Sequence, residues 1–539
     1  MRKTLGRSLD ETTATGRAPH AALRDASEAP ETLPTGRIVA LSSGSRGRTG
    51  PGGSLGRPRA RRRRLLPTHV SVLGMAVRTP AVLLAAVEFV LFYVFAQLLT
   101  DLTRGVAPSL TLALSDATGL VAAFACTVAA VALGFYSPAV RYRDTHPLGR
   151  GLVAFGLLAP TGLYLAGALL PLPTPPLLAM AALAVLATAS THLMRSTVLG
   201  LFDEGLFKRR VLVLGAGREA RRIGERMRRR ADRAGFELVA YVAPTEAHEI
   251  PEGESAPVVP LREVNLRSFC RTHDVHEIVV AWDDRRSGSS SGPLPVDALL
   301  DCRIAGVDVT ELVTFIEREA GRIELDVVRP SWLLFSPGFG QPLRRGAKRL
   351  VDLAVTLLLL AVSWPLMLLT ALAIKLEDGW RAPVLYRQER VGLGGRGFEV
   401  VKFRSMCTDA ERDCGARWAE KNDPRITRVG NVIRLLRIDE LPQLWNVLWG
   451  EMALVGPRPE RPVFVDEFDG TIPFYGERHR VKPGLTGWAQ LNYPYGSSPE
   501  DARRKLEFDL YYVKNFSLLL DLMVLLRTVE VVLFGRGAR

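Results

Sequence analysis

Cysteine is nearly absent, with five residues in 539, and Cys126, Cys270, Cys302, Cys407 and Cys414 show no CxxC spacing. They read as free, reduced thiols with no metal role and no disulfide framework. Histidine is scarce too, at eight residues, and His273 and His276 beside an apolar run read as surface or structural groups. Acid is outnumbered by base, 56 against 70, for a net charge of +14. The excess base sits next to apolar runs, which points to anionic lipid headgroups and a phosphorylated substrate and away from nucleic acid. Charge is missing from several long stretches although 23% of residues are charged and 47% hydrophobic. Apolar blocks and polar domains are therefore segregated, as in an integral membrane protein that carries soluble parts.

Residues 1–70 lack apolar periodicity. They are rich in Gly, Ser, Thr, Pro and Arg and run into Arg59, Arg61, Arg62, Arg63 and Arg64, so a disordered basic tail is expected. It is too long and too polar for a signal peptide, and its arginines should hold it in the cytoplasm. Within residues 71–205 four apolar blocks follow, near 80–100, 110–136, 150–170 and 176–200, each close to the ~20 residues that cross a bilayer. Arg141, Arg143 and Arg150 separate the second and third, the uncharged link Pro171 to Pro176 joins the third and fourth, and Lys208, Arg209 and Arg210 come after. Both ends of a four-helix membrane bundle then face the cytoplasm. Glu88 and Asp116 are nearly the only charges in the blocks, too few for a transporter's polar pathway.

From 206 to 330 the pattern turns α/β. Val211 to Leu214 is a buried strand that runs into a turn at Gly215 and Gly217 and an Arg-rich amphipathic helix, with further strands at Glu237 to Val242 and Glu277 to Ala281. The glycines would let a pyrophosphate approach a helix start. The acidic residue that should follow the second strand is missing: Ala243 and Pro244 stand there, with Glu246 the nearest carboxylate. No Tyr-x-x-x-Lys pair follows the third strand either. NAD is therefore disfavoured, together with an oxidoreductase or epimerase, and the alternative is a Rossmann-like module that regulates, positions or dimerises the chain. A homodimer would be built on that module.

Residues 340–539 hold the chemistry. The apolar run Leu353 to Ile374 has Arg344, Arg345, Lys348 and Arg349 before it and Lys375, Arg381 and Arg387 after it, so both ends favour the same membrane face. A re-entrant helix over 350–375, kinked at Pro365, meets that demand. It would set an α/β catalytic domain against the membrane. Two strand-like segments bring Lys402 and Arg404, a helix ends near Arg434, and a proline-stiffened loop carries Arg458. Asp439 and Glu440 come just before Pro442, at a helix start whose dipole favours anions and a metal-bound phosphate. An isolated acid there is usually only a cap. The surrounding cations make a phosphoryl-transfer pair the better reading.

These residues resemble a known family. Lys348 and Arg349 with Asp352, the helix broken at Ser363 and Pro365, Lys402 and Arg404, Arg434, Asp439 to Leu448, and Val455 to Pro459 are similar to the monotopic phosphoglycosyl transferases. Those bacterial sugar transferases move hexose-1-phosphate from a UDP-sugar to polyprenyl phosphate. Val481 to Gln490 and Asp509 to Asn515 extend the resemblance, and the membrane bundle with its Rossmann-like module resembles the long-form, exopolysaccharide-initiating members. Trp364 intervenes between Ser363 and Pro365, where the family often has serine directly before proline. The resemblance implies a two-step enzyme in the bacterial inner membrane with a cytoplasmic catalytic domain. Asp439 would be the nucleophile, Glu440 with Asp439 would hold Mg²⁺, and Lys402, Arg404, Arg434 and Arg458 would bind phosphates. Undecaprenyl phosphate would align along the re-entrant helix. The sequence does not place the sugar pocket, so UDP-glucose and UDP-galactose stand as near-equal donors, with N-acetylated or deoxy sugars behind them.

Overall fold

The computed structural model describes residues 69–72, 75–104, 117–136, 147–169, 175–203, 208–227, 232–233, 235–244, 256–283, 292–328, 342–408, 423–493, 496 and 498–533. The tail expected over 1–70 lies outside these residues except at its last two positions, and Asp116, Arg141, Arg143, Glu246 and Cys414 lie outside them as well. A hairpin of β1 (His69–Val72) and β2 (Met75–Arg78) leads into α1 (Thr79–Arg104), α2 (Ala117–Ala132) and α3 (Pro147–Val153). A π-helical turn at Ala154–Leu158 joins α3 to α4 (Ala159–Leu169), and α5 (Leu177–Asp203) follows.

Four helical stretches are long and apolar enough to cross a membrane: Ala81–Thr103, Leu148–Ala168, Leu177–Thr197 and Arg345–Asp378. Three of the four blocks in the front part reach that length. The second is the shorter α2, and residues 110–116 of that block are outside the described set. Ala122, Ala123, Cys126, Ala129 and Ala130 let α2 pack closely against its neighbours, around Phe92 and Phe155. Glu88 is buried but paired. Arg195 of α5 meets its carboxylate at 2.9 Å and the Tyr136 hydroxyl donates to it at 2.6 Å, a cross-link within the bundle.

The middle region contains β3 (Arg209–Leu214), α6 (Arg218–Arg226), β4 (Phe236–Ala243), β5 (Val258–Pro260), α7 (Leu266–Thr272), β6 (Glu277–Val280), α8 (Val296–Ile304), β7 (Asp308–Glu311) and α9 (Leu312–Ala320). Its five strands form one parallel sheet in the order β5-β4-β3-β6-β7. Alternate side chains of β3 leave opposite faces. Val211 and Val213 pack with Ile223 and Phe315, whereas Leu212 and Leu214 pack with Leu266 and Cys302. Helices cover both faces, which is why the strands read as unbroken apolar runs.

The C-terminal region opens with α10 (Pro342–Asp378), whose 37 residues give a rod about 55 Å long. It extends past the expected 350–375 at both ends, because the Lys- and Arg-rich stretch before it and Leu376 and Glu377 after it are good helix formers too. It also continues through Pro365 without leaving helical structure. Next come an antiparallel hairpin, β8 (Leu385–Val391) and β9 (Gly397–Phe403), then α11 (Arg428–Leu435), α12 (Gln443–Trp449), β10 (Ala453–Val455) and α13 (Pro462–Thr471). β11 (Gly484–Thr486) pairs parallel with β10, and α14 (Trp488–Asn492), α15 (Pro499–Lys514) and α16 (Leu518–Leu533) complete the region.

Both ends of α10 dock on this one α/β region. At its start Lys348 pairs with Asp521 at 2.7 Å, Arg349 donates to the carbonyls of Val447 and Leu448 at 2.5 and 2.7 Å, and Asp352 accepts from the Leu454 amide at 3.4 Å. At its end Glu377 accepts from the amides of Arg428 and Val429 at 2.7 and 2.9 Å, closing the open start of α11, and Asp378 pairs with Arg404 at 2.8 Å. Between those anchors Leu357, Val362, Trp364, Leu368 and Leu369 are exposed, and the Ser363 hydroxyl lies 3.7 Å from the Met367 sulfur. The middle and C-terminal regions share a core. Val313, Ile323 and Leu325 pack with Phe464, Phe468, Leu506 and Leu510.

Candidate active site

Lys402 projects from β9, whose Val400, Val401 and Phe403 are buried. Asn446, fully buried in α12, fixes that strand: its amide oxygen accepts from the Val401 amide at 3.1 Å, and its nitrogen donates to the Glu399 carbonyl at 2.6 Å and to Glu451 at 2.7 Å. On the other side α11 ends, and Arg437 adopts φ 59°, a left-handed conformation that costs a non-glycine residue about 1–2 kcal/mol. That residue turns the chain so that Ile438–Glu440 form one 3₁₀ turn ahead of Pro442 and α12. Asp439 and Glu440 therefore sit between a strand bearing Lys402 and the loop bearing Arg458.

One oxygen of Glu440 gathers three cations. Arg458 donates to Oε1 at 2.8 Å, Arg437 to the same atom at 3.3 Å, and the Lys402 ammonium lies 3.6 Å from it. Burial alone would raise the Glu440 carboxyl, but Arg458, Lys402 and Arg437 outweigh that effect and hold it far below the usual carboxylate range. Asp439 shifts the other way. Burial and the adjacent Glu440 charge raise it, and the cations only partly offset them. Lys402 is brought down to about 8, chiefly by burial, with Glu440 opposing and Arg458 adding to the shift. Two neighbouring carboxyls are thus driven apart, one firmly ionised and one easier to protonate, beside a lysine poised near neutrality.

The structure brings Lys402, Arg458, Asp439 and Glu440 together, and it places Arg404 elsewhere. Arg404 is buried against Asp378 and donates to the Pro383 carbonyl at 2.6 Å, so its guanidinium ties β9 to the end of α10. Arg434 is half-buried in the last turn of α11 and makes no ion pair with Asp439 or Glu440 among the described residues. Arg437 instead supplies the cation on that side. Behind Arg458, the buried Arg478 donates to the Arg458 carbonyl at 2.9 Å and pairs with Asp509 at 2.8 Å; burial pushes the Asp509 carboxyl up to about 6. Sequence reasoning gave no role to Arg437, Arg478 or Asp509. The available signals were that Arg437 directly precedes the acidic turn and that Asp509 opens one of the stretches that carry the family resemblance.

No group of three or more Asp, Glu, His or Cys side chains suited to a metal occurs among the described residues. Asp439 with Glu440 matches the sparser pattern of Mg²⁺, which takes one or two carboxylates and completes its shell with substrate phosphates and water. The residues present fit that ion on those terms. The glycine turn at Gly215 and Gly217 is filled from within. A Cβ on Gly215, at φ +124°, would lie 2.1 Å from the Ala281 carbonyl, and one on Gly217 would lie 1.6 Å from an Asp283 oxygen. The Glu219 amide donates to Asp283 at 2.7 Å, so the chain's own carboxylate occupies the start of α6 where a diphosphate would rest.

Residues 343–535 match the family described as bacterial sugar transferase. The chain is 45% identical over 241 residues to a UDP-N-acetylgalactosamine-undecaprenyl-phosphate N-acetylgalactosaminephosphotransferase of Aeromonas hydrophila, covering 45% of this chain and 56% of that protein. It is 46% identical over 196 residues to an undecaprenyl-phosphate glucose phosphotransferase of Komagataeibacter xylinus, covering 35% of this chain and 36% of that protein. It is 44% identical over 207 residues to a UDP-glucose:undecaprenyl-phosphate glucose-1-phosphate transferase of Caulobacter vibrioides, covering 37% of this chain and 76% of that protein. The match therefore spans about half or less of the first two relatives and most of the third.

Proposed function

The chain belongs to the bacterial sugar transferases, and from that premise we propose that it moves a sugar-1-phosphate from a UDP-sugar to undecaprenyl phosphate. The observation that carries this reading is the Asp439–Glu440 pair, ringed by Lys402, Arg437 and Arg458 and seated beside an apolar helix. The Asp439 carboxylate attacks the phosphorus that bears the sugar. The bond to the bridging oxygen breaks, UMP departs with the electron pair, and the sugar phosphate remains on Asp439 as an acyl phosphate. A phosphate oxygen of the lipid then attacks the same phosphorus and returns the Asp439 carboxylate. Lys402, Arg437 and Arg458 neutralise the charge that develops on the leaving and attacking phosphates. Arg434, in the last turn of α11, is kept as a further phosphate ligand. Glu440 keeps the three cations converged. Mg²⁺, when held by Asp439 and Glu440 together with the diphosphate, would supply further neutralisation of phosphate charge.

We read α10 as re-entrant. Support comes from the docking of Lys348, Arg349 and Asp352 at one end and of Glu377 and Asp378 at the other on a single α/β region, with exposed Leu and Trp side chains between. The catalytic region then lies on the cytoplasmic face of the inner membrane, where the lysines and arginines at both ends of α10 favour it. We read the middle region as Rossmann-like on the order of its five parallel strands. The relatives' names include glucose and N-acetylgalactosamine, so the donor is proposed to be a UDP-hexose or UDP-N-acetylhexosamine, and the product a lipid-linked sugar for exopolysaccharide synthesis. Full-length protein in lipid nanodiscs with Mg²⁺, undecaprenyl phosphate and a panel of UDP-sugars tests the reading through UMP release and lipid product. Turnover with at least one donor is expected. Failure with every UDP-hexose and UDP-N-acetylhexosamine would remove the proposal.

A further inference from the structure

The loop that delivers Arg458 to Glu440 is tied by its carbonyls, four in succession. Pro457 O accepts from the Gly484 amide at 2.9 Å, Arg458 O from Arg478 at 2.9 Å, Pro459 O from Arg390 at 3.1 Å, and Glu460 O from the Val391 amide at 2.9 Å. Pro457 and Pro459 have no N–H, so the usual second handle on the backbone is missing at alternate residues. Two of the four donors are side chains. Arg478 is itself anchored by Asp509 at 2.8 Å and bonded to the Tyr475 hydroxyl at 2.6 Å.

Arg390 is anchored differently. Its Nε and Nη2 grip the Gln388 side-chain oxygen at 3.1 and 2.5 Å, which leaves Nη1 to reach Pro459 O, with Glu460 at 3.6 Å. The guanidinium fork is what allows one residue of β8 to hold its own strand neighbour and the loop together. Among the described residues Arg390 makes no ion pair with Asp439 or Glu440. Its charge also helps to lower the Lys402 ammonium, so a variant that keeps the charge is needed to isolate the influence that passes through the loop.

We propose that Arg390 is a positioning residue: it fixes the Gly456 to Arg461 loop so that the Arg458 guanidinium meets Glu440 and the substrate phosphate. The kinetic part rests on the transferase reading above, and the structural part on geometry alone. Two variants separate charge from shape. R390K keeps the positive charge but replaces the fork with a point donor, and R390M removes both. In the full-length protein, amide hydrogen exchange of peptides covering 388–392 and 456–461 should rise about tenfold or more in each variant, with peptides from α15 and α12 unchanged. Turnover should fall about 10- to 100-fold in both, the scale of a small misplacement of a reacting group. In an R458M background R390K should add little, because its effect travels through Arg458. Wild-type turnover in R390K, a loss additive with R458M, or unchanged exchange in the loop would each overturn the proposal. Exchange rising uniformly with a lower unfolding midpoint would assign Arg390 to general stability and overturn it too. If wild-type protein releases no UMP, the transferase reading fails, and the exchange measurement still decides whether Arg390 holds the loop.

Discussion

At the scale of single residues, Lys402 and Asp439 give the site a pH signature. Lys402 loses its charge near 8, well below an ordinary lysine, so its hold on a diphosphate should weaken as pH rises through that value. Asp439 must be ionised to attack, and its raised carboxyl places the acid limb above the ordinary aspartate value near 3.9. The profile of kcat/KM for the UDP-sugar should therefore be bell-shaped, with an alkaline limb near pH 8. K402R keeps a cation at any working pH, so its alkaline limb should disappear even as its rate drops. An alkaline limb that stays at the same pH in K402R would assign that ionisation to another group. Arg404 shows how one residue type can mislead. Two positions from Lys402 in the sequence, it reads as a second phosphate ligand on the same strand face, yet β9 ends at Phe403, and beyond that end the Arg404 side chain turns to Asp378.

At the scale of elements, α10 carries the prediction. Cysteine substituted at Gly346, where a Cβ meets nothing, and at the exposed Trp380 should both resist a membrane-impermeant thiol reagent applied to intact cells. Trp380 is the better second position because Gly379 has φ +85° and tolerates no side chain without strain. Labelling at one of the two would mean that the helix crosses the bilayer. P365L, which restores the missing amide, should shift the protein toward that crossing topology and lower activity. How far the elements were legible follows from where their information lies. The apolar helices, β3, β4 and β6 are written in local composition, and sequence reading finds them. β5 and β7 are three and four residues long and carry Pro260 or the charged Asp308 and Glu311, so no local pattern marks them. The closure of the glycine turn by Asp283 depends on a contact 64 residues away, and the left-handed Arg437 on the packing of α11 against the acidic turn, neither of which periodicity encodes.

At the scale of the whole molecule, every residue given a chemical role lies after 340, but the buried partners of that region do not. Glu530 pairs with Arg150 at 2.8 Å, Lys514 and Asn515 bond Glu317 at 2.6 and 2.8 Å, Trp488 donates to the Gly321 carbonyl at 2.7 Å, and the Glu507 carbonyl accepts from the Ile323 amide at 3.0 Å. Deleting residues 1–335 removes these partners, and losing one member of a buried ion pair costs about 3–5 kcal/mol. The truncated protein should retain some transferase activity while its thermal inactivation is many-fold faster than that of the full chain. Equal lifetimes would show that the front part does not support the catalytic region. The central claim is that Asp439 carries the sugar phosphate between two displacements. Full-length protein mixed with UDP-sugar and Mg²⁺ in the absence of undecaprenyl phosphate, quenched and analysed by mass spectrometry, should release UMP once per active site. It should also leave a sugar phosphate on the peptide containing Asp439, and both signals should vanish in D439N. UMP release that requires undecaprenyl phosphate, with no adduct on Asp439, would contradict the account and favour direct transfer between the two substrates.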